Sequence, residues 1–588
     1  MDFSSTERAL SSLIRRTPPL SPKIISLATA LQTVYPNPLN PEFVTSTIEL
    51  LRIGTDGGEP LESAASTAAS TAEEEKGSTG TKETLRWEPL AVGFHLTISY
   101  LQSATAFYQN GKSDGEDDVY MDGPRVPKTD TTVTSNSTSS TTTANTDTIT
   151  VIDEDQLSSF SQIIMTMCQT HLEHNEPRVR SLVAKVVGQH TKLGITLYTQ
   201  QAAHTILGTT IMNRSIELYK TTNQSLKDHL RSGRDTANKS KSSEGALDDT
   251  TGWRAMETNL FCIGSFVHAS GGLYFDLVRN GVGTDTGTDT DTAGGNGKFL
   301  VDETLLKDIE YCCVTHVNRH VRAAGIALLE QMVHACASSY QKASTETTTT
   351  QDNTNTNNNA MELLTSSESG LRQSIVNILK VTLSDNWSQV RMAASVLCRV
   401  FYVTLLDYAE QRQLHTDTDT DTNSSSSNMI DETNEWFTST YPLLLPRMCL
   451  NRFYLAQGVK LYSHDTWRIL FERSERLGFG GGGVENVANN AGPICRYYVK
   501  MCDADNHVVR EAACQAVAEL AFKLGRSVQF AEYLAPYVVM LLQVRFCFRF
   551  CLYTVYFVQF IHSFIHSSRS YFLYLTLVPI LLSFLIDN

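Results

Sequence analysis

Apolar residues along this chain recur at helical spacing, in short runs parted by polar turns or by long polar tracts. In segment 1–53, Leu10, Leu13 and Ile14 share one helix face, and Ile24, Ile25, Ala28 and Leu31 share another. Pro18, Pro19 and Pro22 break these runs, while Pro36, Pro38 and Pro41 end the second. Helical spacing resumes over 43–51 and again over 87–108, through Leu90, Val92, Phe94, Leu96, Ile98 and Leu101. Beyond residue 150 the predicted helices come in pairs, each joined by a short polar turn: 157–172 with 178–190, 305–316 with 321–337, 371–383 with 390–408, and 494–502 with 508–524. A degenerate pair is expected within 436–470, where 443–450 precedes 459–471, and 533–543 starts one more first helix. The expected fold class is all-α.

Between the runs lie tracts with no apolar period. Segments 54–84 and 110–150 read as disordered insertions, as do shorter tracts at 232–250, 281–297, 344–359 and 415–428. The Thr-Asp alternation at 284–292 and 416–422 has the look of expanded simple-sequence DNA. A calcium loop needs a fixed ring of ligands, a Gly turn and a bidentate Glu, and no tract supplies them. The expected organisation is N-terminal helices at 1–53, a helical stretch at 85–109, interrupted helical repeats over 151–543, and a hydrophobic tail at 544–588.

One phrase opens the second helix of each regular pair. It reads Val179-Arg180-Ser181-Leu182-Val183, then Val321-Arg322-Ala323-Ala324, then Val390-Arg391-Met392-Ala393-Ala394, then Val509-Arg510-Glu511-Ala512-Ala513. Recurrence of a helix-start phrase marks a repeat architecture. The Val is expected in the core between neighbouring pairs, and the small residues after it let helices approach closely. Asp385, Asn386, Asp503, Asp505 and Asn506 are candidate caps for the second helices. A cation near a helix start is disfavoured by the macrodipole, so the Arg needs a partner. The expectation is an Asp of the same or the preceding turn.

These residues resemble HEAT repeats, whose second helix begins with an Asp-x-x-Val-Arg-x-x-Ala pattern. Asp505 stands four residues before Val509 and Asp385 five before Val390, so the spacing is loose. The resemblance, to the HEAT/armadillo-type class, covers 151–543 with interruptions. It implies an α-solenoid of antiparallel helix pairs interrupted by disordered low-complexity loops. It also implies that Arg180, Arg322, Arg391 and Arg510 are structural. HEAT arrays serve many functions, so the fold names none.

The net charge of −15 and the absence of a basic stripe argue against nucleic acid as a partner. The twelve cysteines form no CxxC pair and read as buried free thiols in a reducing compartment. No signal peptide is read at residues 1–8, so a cytoplasmic location is expected, with the nucleus as an alternative and membrane association if the tail is genuine. No HExxH, GxSxG or Walker-type motif occurs, and the histidines are dispersed. The run Gly478 to Gly483 has no strand before it and no Lys-Ser/Thr after it, and reads as an interhelical loop. No enzyme, cofactor or metal is expected.

Trp387 is the sharper signal, because it sits in a turn where polar residues belong. Tubulin-binding HEAT arrays place a Trp and basic side chains at such turns. Glu173, Glu176, Asp503 and Asp505 make this edge acidic, a poor match to an acidic tubulin surface. Arg452, Tyr454 and Trp467 lie in an aromatic and Arg-rich stretch of the kind enriched at interfaces, and join Trp387 as interface candidates. From Val544 onward the chain has no Lys or Glu and many Phe, Tyr, Leu and Ile. Its windows 550–566 and 571–586 are short for the roughly 20 residues of a bilayer span. A membrane segment within 550–586, a hydrophobic helical cap and translation through a retained intron are the three readings of this tail. The expected function is a non-enzymatic protein-binding scaffold or adaptor, with a tail-anchored adaptor and a microtubule-associated array (TOG-like or dynein-assembly) as alternatives.

Overall fold

The structure, a computed structural model, describes residues 41–56, 87–110, 154–200, 204–237, 252–275, 277, 302–346, 360–416, 425–478 and 481–524. Of these, 87% are helical and none lies in a strand, so the chain is all-α over its described residues. Contacts divide it into two units, 1–218 and 219–588.

In the first unit α1 (Pro41–Asp56), α2 (Glu88–Asn110), α3 (Glu154–Thr170) and α4 (Pro177–Gln200) precede α5 (Thr205–Ala237), whose first part belongs here. The helix α2 packs on α1 and α4, and α3 packs on α4. Pro41 opens α1, because the first helical position makes no use of an N–H; the run it was expected to end lies outside the described residues. Buried His190 of α4 ties three helices together. Its imidazole lies 2.6 Å from Ser161 Oγ of α3 and 2.8 Å from Ser215 Oγ of α5. Ser215 Oγ donates to the Ile211 carbonyl at 3.3 Å, so Nδ1–H donates to Ser215 and Nε2 accepts from Ser161. Burial, with Arg214 nearby, pushes the His190 pKa down to about 3, and the ring is neutral.

The second unit holds α6 (Trp253–Ser270), α7 (Glu303–Val314), α8 (Arg319–Glu346), the single turn α9 (Glu362–Thr365), α10 (Gly370–Thr382), α11 (Ser388–Thr416), α12 (Ser425–Thr438), α13 (Tyr441–Asn451), α14 (Gln457–Leu477), α15 (Gly483–Asn489), α16 (Ala491–Cys502) and α17 (His507–Leu524). Two rows of neighbours run through it. First helices α7, α10, α13 and α16 each touch the next, and so do α6, α8, α11 and α14. Within a pair, α7 packs on α8, α10 on α11, α13 on α14 and α16 on α17. The valines that open the second helices, Val321, Val390, Val459 and Val509, are all buried between these rows.

Small residues set the spacing within pairs. Gly325, two past the Val321-Arg322-Ala323 start, is one: a Cβ there would stand 2.7 Å from Cys313 Sγ on α7. Gly325→Ala is expected to destabilise the second unit by about 1–3 kcal/mol through overpacking, read as a lower urea midpoint at unchanged slope.

Paired helices stand where the spacing put them, but the second members run longer than expected. α4 reaches Gln200, α8 reaches Glu346 and α11 reaches Thr416. The sequence reading placed no helix over α5, the longest at 33 residues, or over α6. For α5 and the extended ends of α4 and α8 the physical reason is visible in their hydroxyls. Thr199, Thr209, Thr210 and Ser338 each donate to the carbonyl four residues back, so polar residues continue a helix they would otherwise end. The helices expected before residue 36, the first helix at 533–543, the tail at 544–588 and nearly all of the polar tracts lie outside the described residues. At tract ends 54–56, 232–237, 344–346, 415–416 and 425–428 the chain is helical.

Candidate functional site

The turns inside the pairs share one construction. The Arg of each Val-Arg phrase folds back onto the turn that precedes it. Arg180 Nη1 donates to the carbonyls of His174 and Asn175 at 2.8 and 3.2 Å. Arg322 does the same to His316 and Val317 at 2.8 and 2.9 Å, and Arg510 to Ala504 and Asp505 at 2.6 and 2.8 Å. Arg391 reaches the Asp385 carbonyl through Nε at 3.0 Å. The acceptors lie six and five residues back, just beyond the first helix. A guanidinium there faces the negative end of that helix, which outweighs its position at the start of the next. Backbone carbonyls of the same turn, not an Asp of the same or the preceding turn, are what all four arginines share; Arg322 alone also pairs with an Asp, in the following turn.

A second device closes the first three of these turns. The residue five before the Val accepts the N–H of the residue two further on. His174 Nδ1 takes the Glu176 N–H at 3.0 Å, His316 Nδ1 the Asn318 N–H at 3.1 Å, and Asp385 Oδ1 the Trp387 N–H at 2.8 Å. An imidazole thus replaces a carboxylate, which requires an unprotonated Nδ1. Burial lowers the pKa of both His174 and His316. Of the candidate caps, Asp385 and Asn506 accept backbone N–H groups; Asn506 takes Val508 at 3.0 Å. Asn386, Asp503 and Asp505 do not.

Two arginines also reach the turn of the following pair. Arg322 meets Asp385 through Nε at 3.1 Å and Nη2 at 3.2 Å. Arg391 donates Nη1 to Asn451 Oδ1 at 2.6 Å and lies 4.1 Å over the Tyr454 ring. Asp385 and Tyr454 occupy the same place, five before Val390 and Val459. The contact runs forward along the chain, whereas the sequence suggested the preceding turn. A double-mutant cycle on Arg322→Ala and Asp385→Ala is expected to give a coupling of about 1–3 kcal/mol in chemical unfolding. Additive losses would dissolve the link.

Of the four interface candidates, Arg452 and Tyr454 are buried. Arg452 pairs with Glu519 Oε2 at 2.6 Å and lies 4.1 Å over the half-buried Trp467 ring. Beside them is a cavity of about 40 Å³, lined in part by Tyr498 and Val487, room for water and no more. Trp387 is different, being 49% exposed. Arg319, at the start of α8, holds its guanidinium 4.4 Å over the Trp387 ring. His320 stacks on Trp253 at 5.4 Å and meets Gln389 at 3.5 Å, and Arg254 lies 5.4 Å over Trp253. Val317 and Leu455, in the turns on either side of Trp387, are also exposed. The edge formed by these turns is aromatic, basic and apolar; the acids Asp503 and Asp505 belong to the last turn only. Sequence reading missed Arg319, although its place beside the Val-Arg phrase was a usable signal. It also missed Arg372, a buried side chain that donates to the carbonyls of Leu364 and Trp436 at 2.5 and 2.6 Å.

Chemistry has little to work with in the described residues. No three His, Cys, Asp or Glu side chains converge. The described cysteines are buried free thiols, and burial pushes Cys262 and Cys398 up to about 12. The Ser161–His190–Ser215 chain is sealed inside the first unit, with no path for a substrate. One described helix, Ser388–Leu414 within α11, is long and apolar enough to cross a bilayer, with 56% of its apolar window buried. It packs between α8 and α14 as a core helix. No protein-family model and no curated protein matches the chain, and the geometry of the turns carries the functional reading.

Proposed function

We propose that the chain is a non-enzymatic protein-binding scaffold or adaptor built on a HEAT-like solenoid. The single observation behind this reading is the pair of helix rows in the second unit, where each helix packs on its counterpart in the next pair and one turn's Arg reaches into the next. Repeats that contact only their neighbours produce extended surfaces and spread binding over several units. In this reading the partner is a protein, cytoplasmic like the chain, and nucleic acid has no place, since the formal charge is −15. The regular turns also support the HEAT assignment: a buried Val, an Arg folded back, and small residues after it.

Affinity purification of the full chain, with quantitative mass spectrometry of what it retains, tests the scaffold. Stoichiometric protein partners are the expected result. Retention of nothing above background, or of nucleic acid in place of protein, would overturn it. Co-sedimentation with microtubules tests the alternative array, which the half-exposed Trp387 beside Arg319 favours over a membrane adaptor.

A further inference from the structure

Three successive turns of the second unit each expose a large apolar side chain: Val317 at 53%, Trp387 at 49% and Leu455 at 64%. In the turns of Val317 and Trp387 the Arg and the residue five before the Val already satisfy the backbone, so neither side chain is needed to build its turn; the turn of Leu455 lacks that Arg, and Leu455 is the most exposed of the three. The successive first helices α7, α10 and α13 pack side by side, and packed helices stand about 8–10 Å apart, so the turns that carry these side chains repeat at about that spacing. A polyproline II segment has three residues per turn and rises about 3.1 Å per residue. It therefore returns one face every ~9 Å. The two periods match.

Charge selects among extended segments. Arg254, Arg319 and His320 flank the row at the starts of α6 and α8. Around Val317 and Trp387 the acids are engaged: Asp385 is held by Arg322 and the Trp387 N–H, and Glu257 is buried with His320 at 3.8 Å; the exposed acids Asp503 and Asp505 lie in the turn beyond Leu455, so the cationic stretch is the Val317–Trp387 end of the row. On a chain of net charge −15 this is a local cationic edge. Arg319 stacked on Trp387 also holds the indole upright, which lowers the entropy lost when a partner covers it.

We propose that the turn edge running through Val317, Trp387 and Leu455 binds an extended acidic segment of a partner protein, in polyproline II form, with an apolar residue at every third position. This rests on the scaffold reading and supplies the chemistry of its partner.

The probe is a fluorescein-labelled synthetic peptide of four Leu-Asp-Pro triplets, titrated with the full chain and followed by anisotropy. Controls are four Leu-Lys-Pro triplets and a peptide of the same composition as the probe with its leucines clustered. Binding of the acidic triplets at least about tenfold tighter than either control is expected. Trp387→Ala and Leu455→Asp, both at solvent-facing positions, should each weaken it about tenfold with unchanged circular dichroism, and added salt should weaken it further. No binding, equal binding of the lysine peptide, or indifference to both substitutions would overturn the proposal. If affinity-purified partners survive Trp387→Ala and Leu455→Asp undiminished, the scaffold stands and this edge is not its binding face.

Discussion

Arg391→Ala is expected to cost the second unit about 3–5 kcal/mol, among the largest losses any single side chain here should give. The guanidinium is fully buried. It satisfies the Asp385 carbonyl, the Asn451 side chain and the face of Tyr454 at once. Removing it leaves a carbonyl and an amide oxygen without that donor in a site water does not enter, and opens a void beside Tyr454. Asn451 also donates to the Leu383 carbonyl at 3.2 Å, so its orientation would loosen with the loss. Arg391→Lys should recover little, because one ammonium cannot span a carbonyl, an amide and a ring in the geometry of the planar fork. Chemical unfolding of the full chain, followed by circular dichroism, reads the effect. A loss below about 1 kcal/mol would mean the turn holds itself.

Acidification is the second large effect, and it falls on the first unit. His190 is held to a pKa of about 3 by burial and Arg214, and His171 to about 4 by burial and His174. Both start from 6.5 in the unfolded chain. A histidine depressed by folding is neutral in the native state while the unfolded state takes up a proton, so stability is complete above 6.5 and drains as the pH falls toward the folded value. For His190 alone the loss approaches about 4 kcal/mol near pH 3. His190→Gln keeps a donor and an acceptor between Ser161 and Ser215 and does not titrate. Midpoints of thermal unfolding measured from pH 7 to 4.5 should fall steeply for the native chain and less steeply for His190→Gln. Equal slopes would show that other groups govern acid unfolding.

Periodicity carried the paired helices, because a buried stripe at 3.6-residue spacing leaves a strong mark in turns such as 384–389. It did not carry α5 or the far ends of α4 and α8, where threonine and serine satisfy themselves within the helix and the pattern turns polar, nor the far end of α11, which is polar through Glu410, Gln411, Arg412 and Gln413. The arginines were recognised as structural from the resemblance, but their acceptors were not legible: a carbonyl carries no residue identity. His174 and His316 read as residues of turns and helix ends, but what they accept was not legible there, since the imidazole does what a carboxylate does at Asp385. For the surface, the sequence offered Trp387, Arg452, Tyr454 and Trp467 alike, and of these Trp387 is the one about half exposed. Arg452 and Tyr454 share its composition signal, yet each is consumed by packing, one by Glu519 and Trp467, the other by Arg391. Residue type alone does not distinguish an aromatic offered outward from one folded in.

The reach of an arginine side chain fixes how long a turn can be. Each Val-Arg copy clasps a carbonyl six residues back, so one added residue would pull the clasp apart. Among the described residues no such clasp ties a second helix to the next first helix. The low-complexity stretches following α6, α8 and α11 all fall there, including both Thr-Asp tracts. Slippage of repetitive DNA can therefore lengthen this protein along one margin over generations, while the opposite margin, with Trp387 on it, is kept at constant length.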